Sequence, residues 1–152
     1  MKTLTACFAA GLIVALVACG SSPTSPTPAF SLSGNWTGTG SDAQGDVKFK
    51  WALTQNGSAV AGTAIMDSAT PDDGSCGSCH KQKTGTVIGT LSGGSLTMTL
   101  DFPKGGTDIT PLCGLTLVAT VSDISAARLA GSYTGTTTCE GPIADGKLTV
   151  AK

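Results

Sequence analysis

The sequence contains few of the residues that most enzymes use for acid–base chemistry. Its 152 residues include one histidine and one glutamate, and charged residues make up only 12% of the chain. General acid–base catalysis draws mainly on histidine and on carboxylate side chains, and no catalytic motif surrounds the few that are present. The nine basic and ten acidic residues give a net charge of −1 and form no basic cluster. We therefore expect neither an enzyme nor a nucleic-acid-binding protein.

From residue 30 onward the chain also lacks the 3.6-residue apolar period of amphipathic helices. Glycine, threonine, serine and valine dominate this part, and apolar residues alternate with polar ones over short runs. Such alternation is typical of strands that bury one face. The pattern predicts an all-β fold with eight strands, at residues 34–41, 46–55, 58–66, 84–92, 95–102, 112–122, 127–135 and 146–151.

The turn residues between these runs indicate sequential antiparallel hairpins. Asn56-Gly57 and Gly93-Gly94 both tolerate the positive φ of a two-residue hairpin turn. Eight short strands joined in this way close most simply into a single up-and-down barrel, because closure removes the two exposed sheet edges. Glycines inside strands are typical of the tight bends that a barrel needs. The predicted strands carry such glycines at Gly38, Gly62, Gly89, Gly131 and Gly135.

Residues 1–18 have the pattern of an export signal. A positive charge at Lys2 precedes an apolar run that is too short to span a membrane comfortably, and small residues follow the run. The segment Leu16–Cys19 resembles the bacterial lipobox, in which the cysteine becomes the lipid-carrying first residue of the mature protein. The resemblance implies that Cys19 is lipidated and anchors the chain to a membrane surface without spanning it.

A polar linker separates this anchor from the folded part. Residues 19–29 are rich in serine, proline and threonine, so we expect a disordered tether. Residues 30–152 are long enough for one β-barrel domain. Gly20 follows the cysteine where lipoproteins retained at the inner membrane have an aspartate. The lipoprotein resemblance therefore implies the bacterial cell envelope, with the outer membrane favoured over the inner one.

The first predicted strand contains Gly34-Asn35-Trp36, which resembles the G-x-W sequence that opens the first barrel strand of lipocalins. The later segments "LAGSYTGT" and "CEGPIADGKLTVAK" are similar to the lipocalin-like domains of bacterial envelope lipoproteins. This resemblance implies an eight-stranded barrel in which Trp36 plugs the closed end. Trp36 and Trp51 lie on inward faces of predicted strands, where they either pack in the core or line a ligand cavity.

Four cysteines remain once the signal is removed and Cys19 is lipidated. An even number in an exported domain indicates disulfides, with three pairings open. Cys113 begins one predicted strand and Cys139 follows another, so a bridge between them would join the C-terminal strands. Cys76 and Cys79 would then be left to each other.

Three interpretations of the Cys76-Gly77-Ser78-Cys79-His80 sequence stay open. The two cysteines can form a disulfide that needs no further partner. C-x-x-C-H is also the local signature of covalent haem c, with two thioethers and the histidine as iron ligand. A metal site would combine these three side chains with Asp72 or Asp73. We expect no cofactor, with haem c as the alternative, and we expect the nearby Lys81 and Lys83 to be solvated.

Together these features predict a lipid-anchored, monomeric barrel with a non-catalytic binding or structural role. Its partner would be a small apolar ligand or another envelope protein. One alternative is a haem-carrying lipoprotein that uses Cys76, Cys79 and His80. The other is an inhibitor-like, protein-binding barrel whose working part is the loop at residues 67–83.

Overall fold

The computed structural model describes residues 30–69, 80–104, 113–139 and 141–152. Each strand pairs antiparallel with its neighbours in sequence, and the last strand pairs with the first, so that the sheet closes into a barrel. The predicted all-β, eight-stranded up-and-down barrel is therefore confirmed. Its strands are β1 (Gly34–Asp42), β2 (Gly45–Asn56), β3 (Ala59–Ser68), β4 (Lys83–Ser92), β5 (Ser95–Phe102), β6 (Leu115–Ile124), β7 (Arg128–Thr137) and β8 (Ile143–Ala151).

The predicted strand bounds differ from the observed ones by at most three residues, and β8 shows why. This strand begins at Ile143, three residues before the prediction. Its pairing with β7 shifts register between Tyr133 and Gly135, and Asp145 has a φ of 56°. The irregularity breaks the alternation of buried and exposed residues, so the first residues of β8 carry no period-two signal.

The two ends of the barrel differ in how they are closed. The short-hairpin end carries the connections at residues 57–58, 93–94 and 125–127, together with residue 30 and the C-terminus. The long-loop end carries the connections at residues 43–44, 69–82, 103–114 and 138–142. Each strand runs from one end to the other, so the position of a residue along its strand shows which end its side chain is nearer.

Large side chains fill the interior between the two ends. Trp36 and Trp51 are cross-strand partners on β1 and β2. The Phe49 ring lies 5.5 Å from Trp51 and makes an edge contact with Tyr133 at 6.1 Å, measured between ring centroids. The Tyr133 ring covers Gly146, where an added Cβ would lie only 2.5 Å from ring carbons. The four rings, all buried, therefore run through the barrel from one end toward the other.

Inward-facing glycines allow neighbouring strands to approach closely at every second strand pair. A Cβ added at any of four positions would lie 2.0–2.1 Å from a backbone oxygen of the neighbouring strand. Only glycine leaves room for the neighbouring backbone at these positions. Such glycines are typical of the sharp bends in the strands of a small barrel. These positions are Gly38 on β1 against β8, Gly62 on β3 against β2, Gly85 on β4 against β5, and Gly131 on β7 against β6.

Candidate functional site

Three polar side chains from distant parts of the chain meet at the long-loop end. Asp42, His80 and Tyr133 form this group, which we call the Asp42 cluster. The Tyr133 hydroxyl donates a hydrogen bond of 2.7 Å to Asp42 Oδ2, and His80 Nε2 lies 3.1 Å from the same oxygen. The backbone N–H of Gln44 donates to Asp42 Oδ1 at 2.8 Å. All three side chains of the cluster are at most 2% exposed.

The electrostatics of the Asp42 cluster favour a fixed hydrogen bond. Burial raises the pKa of the Asp42 carboxyl, but the contacts with His80, Tyr133 and the Gln44 N–H outweigh it, and the pKa lies below its ordinary value. Burial, and then the neighbouring carboxylate, raise the pKa of Tyr133 far above its ordinary value. The phenol therefore keeps its proton and the carboxylate stays ionised. The pair joins β1 to β7 and is poorly suited to proton transfer at neutral pH.

His80 is the residue for which the sequence leaves a haem or metal role open. Its Nε2 faces Asp42 inside the barrel end, although its N–H is not aligned for a good hydrogen bond. A haem iron would have to occupy the place of that carboxylate, so His80 does not fit haem ligation in this arrangement. Cys76 and Cys79 lie outside the described residues, as do Asp72 and Asp73. Within the described ranges, no three His, Cys, Asp or Glu side chains come together as a metal site.

A disulfide lies at the same end of the barrel. Cys113 and Cys139 are bonded, with their Cα atoms 5.5 Å apart, so this predicted pairing is present. The Gly114 N–H donates to Thr138 Oγ1 at 2.9 Å, and the Thr138 N–H donates to the Gly114 carbonyl at 3.0 Å. These bonds join the end of the 103–114 connection to the start of the 138–142 connection.

Lys83 adds a buried donor to this disulfide. Its Nζ donates to the Cys113 carbonyl, and the whole residue is 0% exposed. The expectation that Lys83 is solvated is therefore wrong. Lys83 is the first residue of β4 and shares the inward-facing register of Gly85 and the buried Val87, which directs its side chain into the barrel. We call Lys83, Cys113 and Cys139 the disulfide junction.

The 69–82 connection is held at both of its ends. The Gln82 N–H donates to Asp67 Oδ1 at 3.0 Å, although the two residues are 15 apart in sequence. The Ala69 N–H donates to the Asp46 carbonyl at 2.8 Å, which ties the start of the connection to β2. His80 then anchors the returning chain inside the barrel. The bases of this loop are thus fixed by contacts with three different strands.

Both tryptophans occupy the barrel interior. Trp36 is 0% exposed, and its Nε1–H donates to the Leu32 carbonyl at 2.8 Å, at the short-hairpin end. Trp51 is 2% exposed, and its Nε1–H has no hydrogen-bond partner among the described residues. An open groove of about 320 Å³ lies between β1, β2 and β8, and neither tryptophan lines it.

Sequence reasoning missed the Asp42 cluster and the burial of Lys83. One signal was available for Tyr133, because this tyrosine shares an inward register with Leu129 on β7. A buried phenol needs a hydrogen-bond partner. The partner itself could not be named, since Asp42 is 91 residues away and stands next to a turn.

Cys19 and its surroundings lie outside the described residues. The described parts of the chain include no helix that is both long and apolar enough to cross a membrane. No protein-family model matches the sequence, and no curated protein matches it significantly.

Proposed function

We propose that this protein is a non-catalytic barrel of the bacterial cell envelope, anchored through lipidated Cys19, that binds a protein partner at its long-loop end. One observation carries the choice of partner. The interior, where a small ligand would sit, is filled with packed side chains, whereas the long-loop end holds its connections on fixed bases. The lipid anchor rests on the lipobox-like segment Leu16–Cys19.

The filled interior argues against a small apolar ligand. Phe49, Trp51 and Tyr133 are at most 2% exposed and contact one another in the middle of the barrel. Moving any of these rings would open a cavity in a close-packed core and would cost several kcal/mol. A ligand would have to offset that cost before it gained any affinity. A partner that contacts the outside of the long-loop end avoids the cost.

The fixed loop bases favour recognition of a protein. Ordering a loop on binding costs conformational entropy, and a loop that is already held at its ends loses less of it. The Asp42 cluster and the Gln82–Asp67 and Ala69–Asp46 hydrogen bonds hold both ends of the 69–82 connection, and the disulfide junction holds one end of each of the 103–114 and 138–142 connections. Loops on a rigid scaffold are a frequent place for binding residues. The 67–83 segment is therefore the proposed working part.

The first test is the intact mass and visible spectrum of the mature chain, exported in cells that possess haem-attachment machinery. We expect acyl chains on Cys19, no haem and no Soret band. A haem-sized mass increment with a Soret band, both lost in Cys76→Ser, would replace the proposal with the haem-carrying alternative. An unacylated mature chain would contradict the lipid anchor.

The second test addresses partner binding. A partner found by cross-linking on cells would be purified and titrated against the wild type and two variants. In the first variant a short Gly-Ser linker replaces residues 70–79, and in the matched control ten residues are inserted between Gly93 and Gly94 at the opposite end. We expect the first change to weaken binding by about 100-fold or more, as loss of hot-spot contacts does, and the control to bind normally. Equal binding by all three proteins would refute the proposed surface.

A further inference from the structure

The chain enters the barrel at the short-hairpin end and is bonded there. The Leu32 N–H donates to Gln55 Oε1 at 2.7 Å, and the Gln55 N–H donates to Ser33 Oγ at 2.8 Å. The Trp36 indole then donates to the Leu32 carbonyl. Residues 32 and 33 are thus tied to the end of β2 and to the start of β1.

The C-terminal residue holds the same segment from the other side. Lys152 Nζ donates to the Ser31 carbonyl at 2.9 Å and lies 5.0 Å from the centroid of the Trp36 ring. The Lys152 N–H also donates to the Ala127 carbonyl in the β6–β7 turn, at 3.1 Å. Whatever precedes residue 30 must therefore leave the domain at the short-hairpin end.

The long loops lie at the other end of the barrel. Strands of about ten residues, tilted as in small barrels, separate the two ends by about 25 Å. The eleven residue-to-residue steps from Cys19 to Phe30 can span at most about 40 Å when fully extended. If the long-loop end faced the bilayer, the tether would have to extend along the outside of the barrel from the short-hairpin end to the membrane. Most of the tether would then be extended, which would cost conformational entropy.

We infer that the anchor orients the barrel, with the short-hairpin end toward the bilayer and the long-loop end facing the aqueous compartment. This inference rests on the proposed lipidation of Cys19. A partner of the long-loop end would then approach it from the aqueous compartment.

Amide signals at the two ends can test this orientation. Lipidated full-length protein would be placed in lipid nanodiscs whose headgroups carry a gadolinium chelate, and amide NMR intensities would be compared with and without gadolinium. Gly57 and Gly93 mark the short-hairpin end, and Gly45 and Gly141 mark the long-loop end. We expect the first two signals to be lost while the second two remain.

Two control proteins make the result decisive. A variant that lacks residues 22–28 has a tether too short to pass along the barrel, and it should give the same order of signal loss as the wild type. Cys19→Ser should remain unacylated and lose no signals. In acylated protein, equal loss of amide signals at both ends, or loss only at Gly45 and Gly141, would contradict the orientation. Either result would leave the lipid anchor itself in place. A wild-type mass without acyl chains would overturn the anchor and the orientation together.

Discussion

Replacing Tyr133 with phenylalanine isolates the central hydrogen bond of the Asp42 cluster. The change removes one hydroxyl and leaves the ring, which still covers Gly146 and contacts Phe49, so no cavity forms. Asp42 keeps the Gln44 N–H and the contact with His80 but loses its 2.7 Å donor. Because the Asp42 side chain is 0% exposed, we expect no water to replace the hydroxyl in the variant.

The size of the effect follows from the charge of the acceptor. A hydrogen bond to a charged group contributes about 1.5–3 kcal/mol, and a buried acceptor that loses its donor bears the cost of desolvation. We therefore expect Tyr133→Phe to lower the free energy of unfolding by about 2 kcal/mol at pH 7. For a domain of this size that loss lowers Tm by about 8 °C.

Acid should reduce the difference in unfolding free energy between the wild type and Tyr133→Phe. The folded-state pKa of Asp42 lies below its ordinary value, so its contribution to stability is complete above the ordinary aspartate range and is lost as the pH falls through the lowered value. The groups that face this pair are His80 and the Gln44 N–H around Asp42, and Asp46 near Tyr133. Removing the Tyr133 hydroxyl raises the pKa of Asp42 toward normal, so the variant loses less stability in acid than the wild type.

Urea unfolding, followed by tryptophan fluorescence at pH 7 and then from pH 5 to pH 2, measures both effects. The same substitution in an Asp42→Asn background should cost clearly less, because the charged acceptor is gone. A variant within about 0.5 kcal/mol of the wild type at pH 7 would show that the hydrogen bond does not stabilise the barrel, since surface changes commonly have that size.

Three further predictions concern other parts of the barrel, each measured by urea unfolding. Gly131→Ala should cost about 2 kcal/mol, because the added Cβ would lie 2.1 Å from a backbone oxygen of β6. Gly141→Ala is the control, since nothing described lies within 4 Å of an added Cβ there, and it should be neutral or slightly stabilising. Equal urea midpoints for the two variants would contradict the close approach of β6 and β7 at Gly131. Replacing both Cys113 and Cys139 with serine should cost about 3.5 kcal/mol for a separation of 26 residues, and reduction of the wild type should mimic it. Lys83→Ala should cost about 2–4 kcal/mol through the cavity and the lost donor, and a change as small as that of an exposed lysine would contradict its burial.

The sequence was informative where a property depends on near neighbours. The alternation of Val47, Phe49, Trp51 and Leu53 with polar residues is a local consequence of one buried face, and these four residues are indeed buried in β2. The turn at Gly93-Gly94 was equally predictable, because both residues need positive φ and have it. These local rules were sufficient for the strands, the order of the hairpins and closure of the sheet.

The contacts of the long-loop end join residues that are far apart in the sequence, and such contacts have no local signature. Lys83 shows the difference, since its inward register was available from the β4 pattern, yet a lysine in a polar stretch is ordinarily solvated. The carbonyl that accepts its hydrogen bond belongs to Cys113, 30 residues away. Lys83 and the Cys113 carbonyl meet only in the folded sheet. Local sequence rules therefore could not predict the buried polar contacts at the long-loop end.

The position of His80 connects the barrel to the C-x-x-C-H sequence. The chain has one histidine, and the structure uses it to hold the end of the 69–82 connection against a buried carboxylate. Haem attachment would need the same nitrogen outside the barrel, and Asp42 would then keep a buried charge with fewer partners, which is costly. Haem ligation through His80 Nε2 and the observed contact of this nitrogen with Asp42 are therefore mutually exclusive. The fixed bases of this loop support the proposed recognition of a protein surface, and the proposed anchor at the opposite end would leave that surface free.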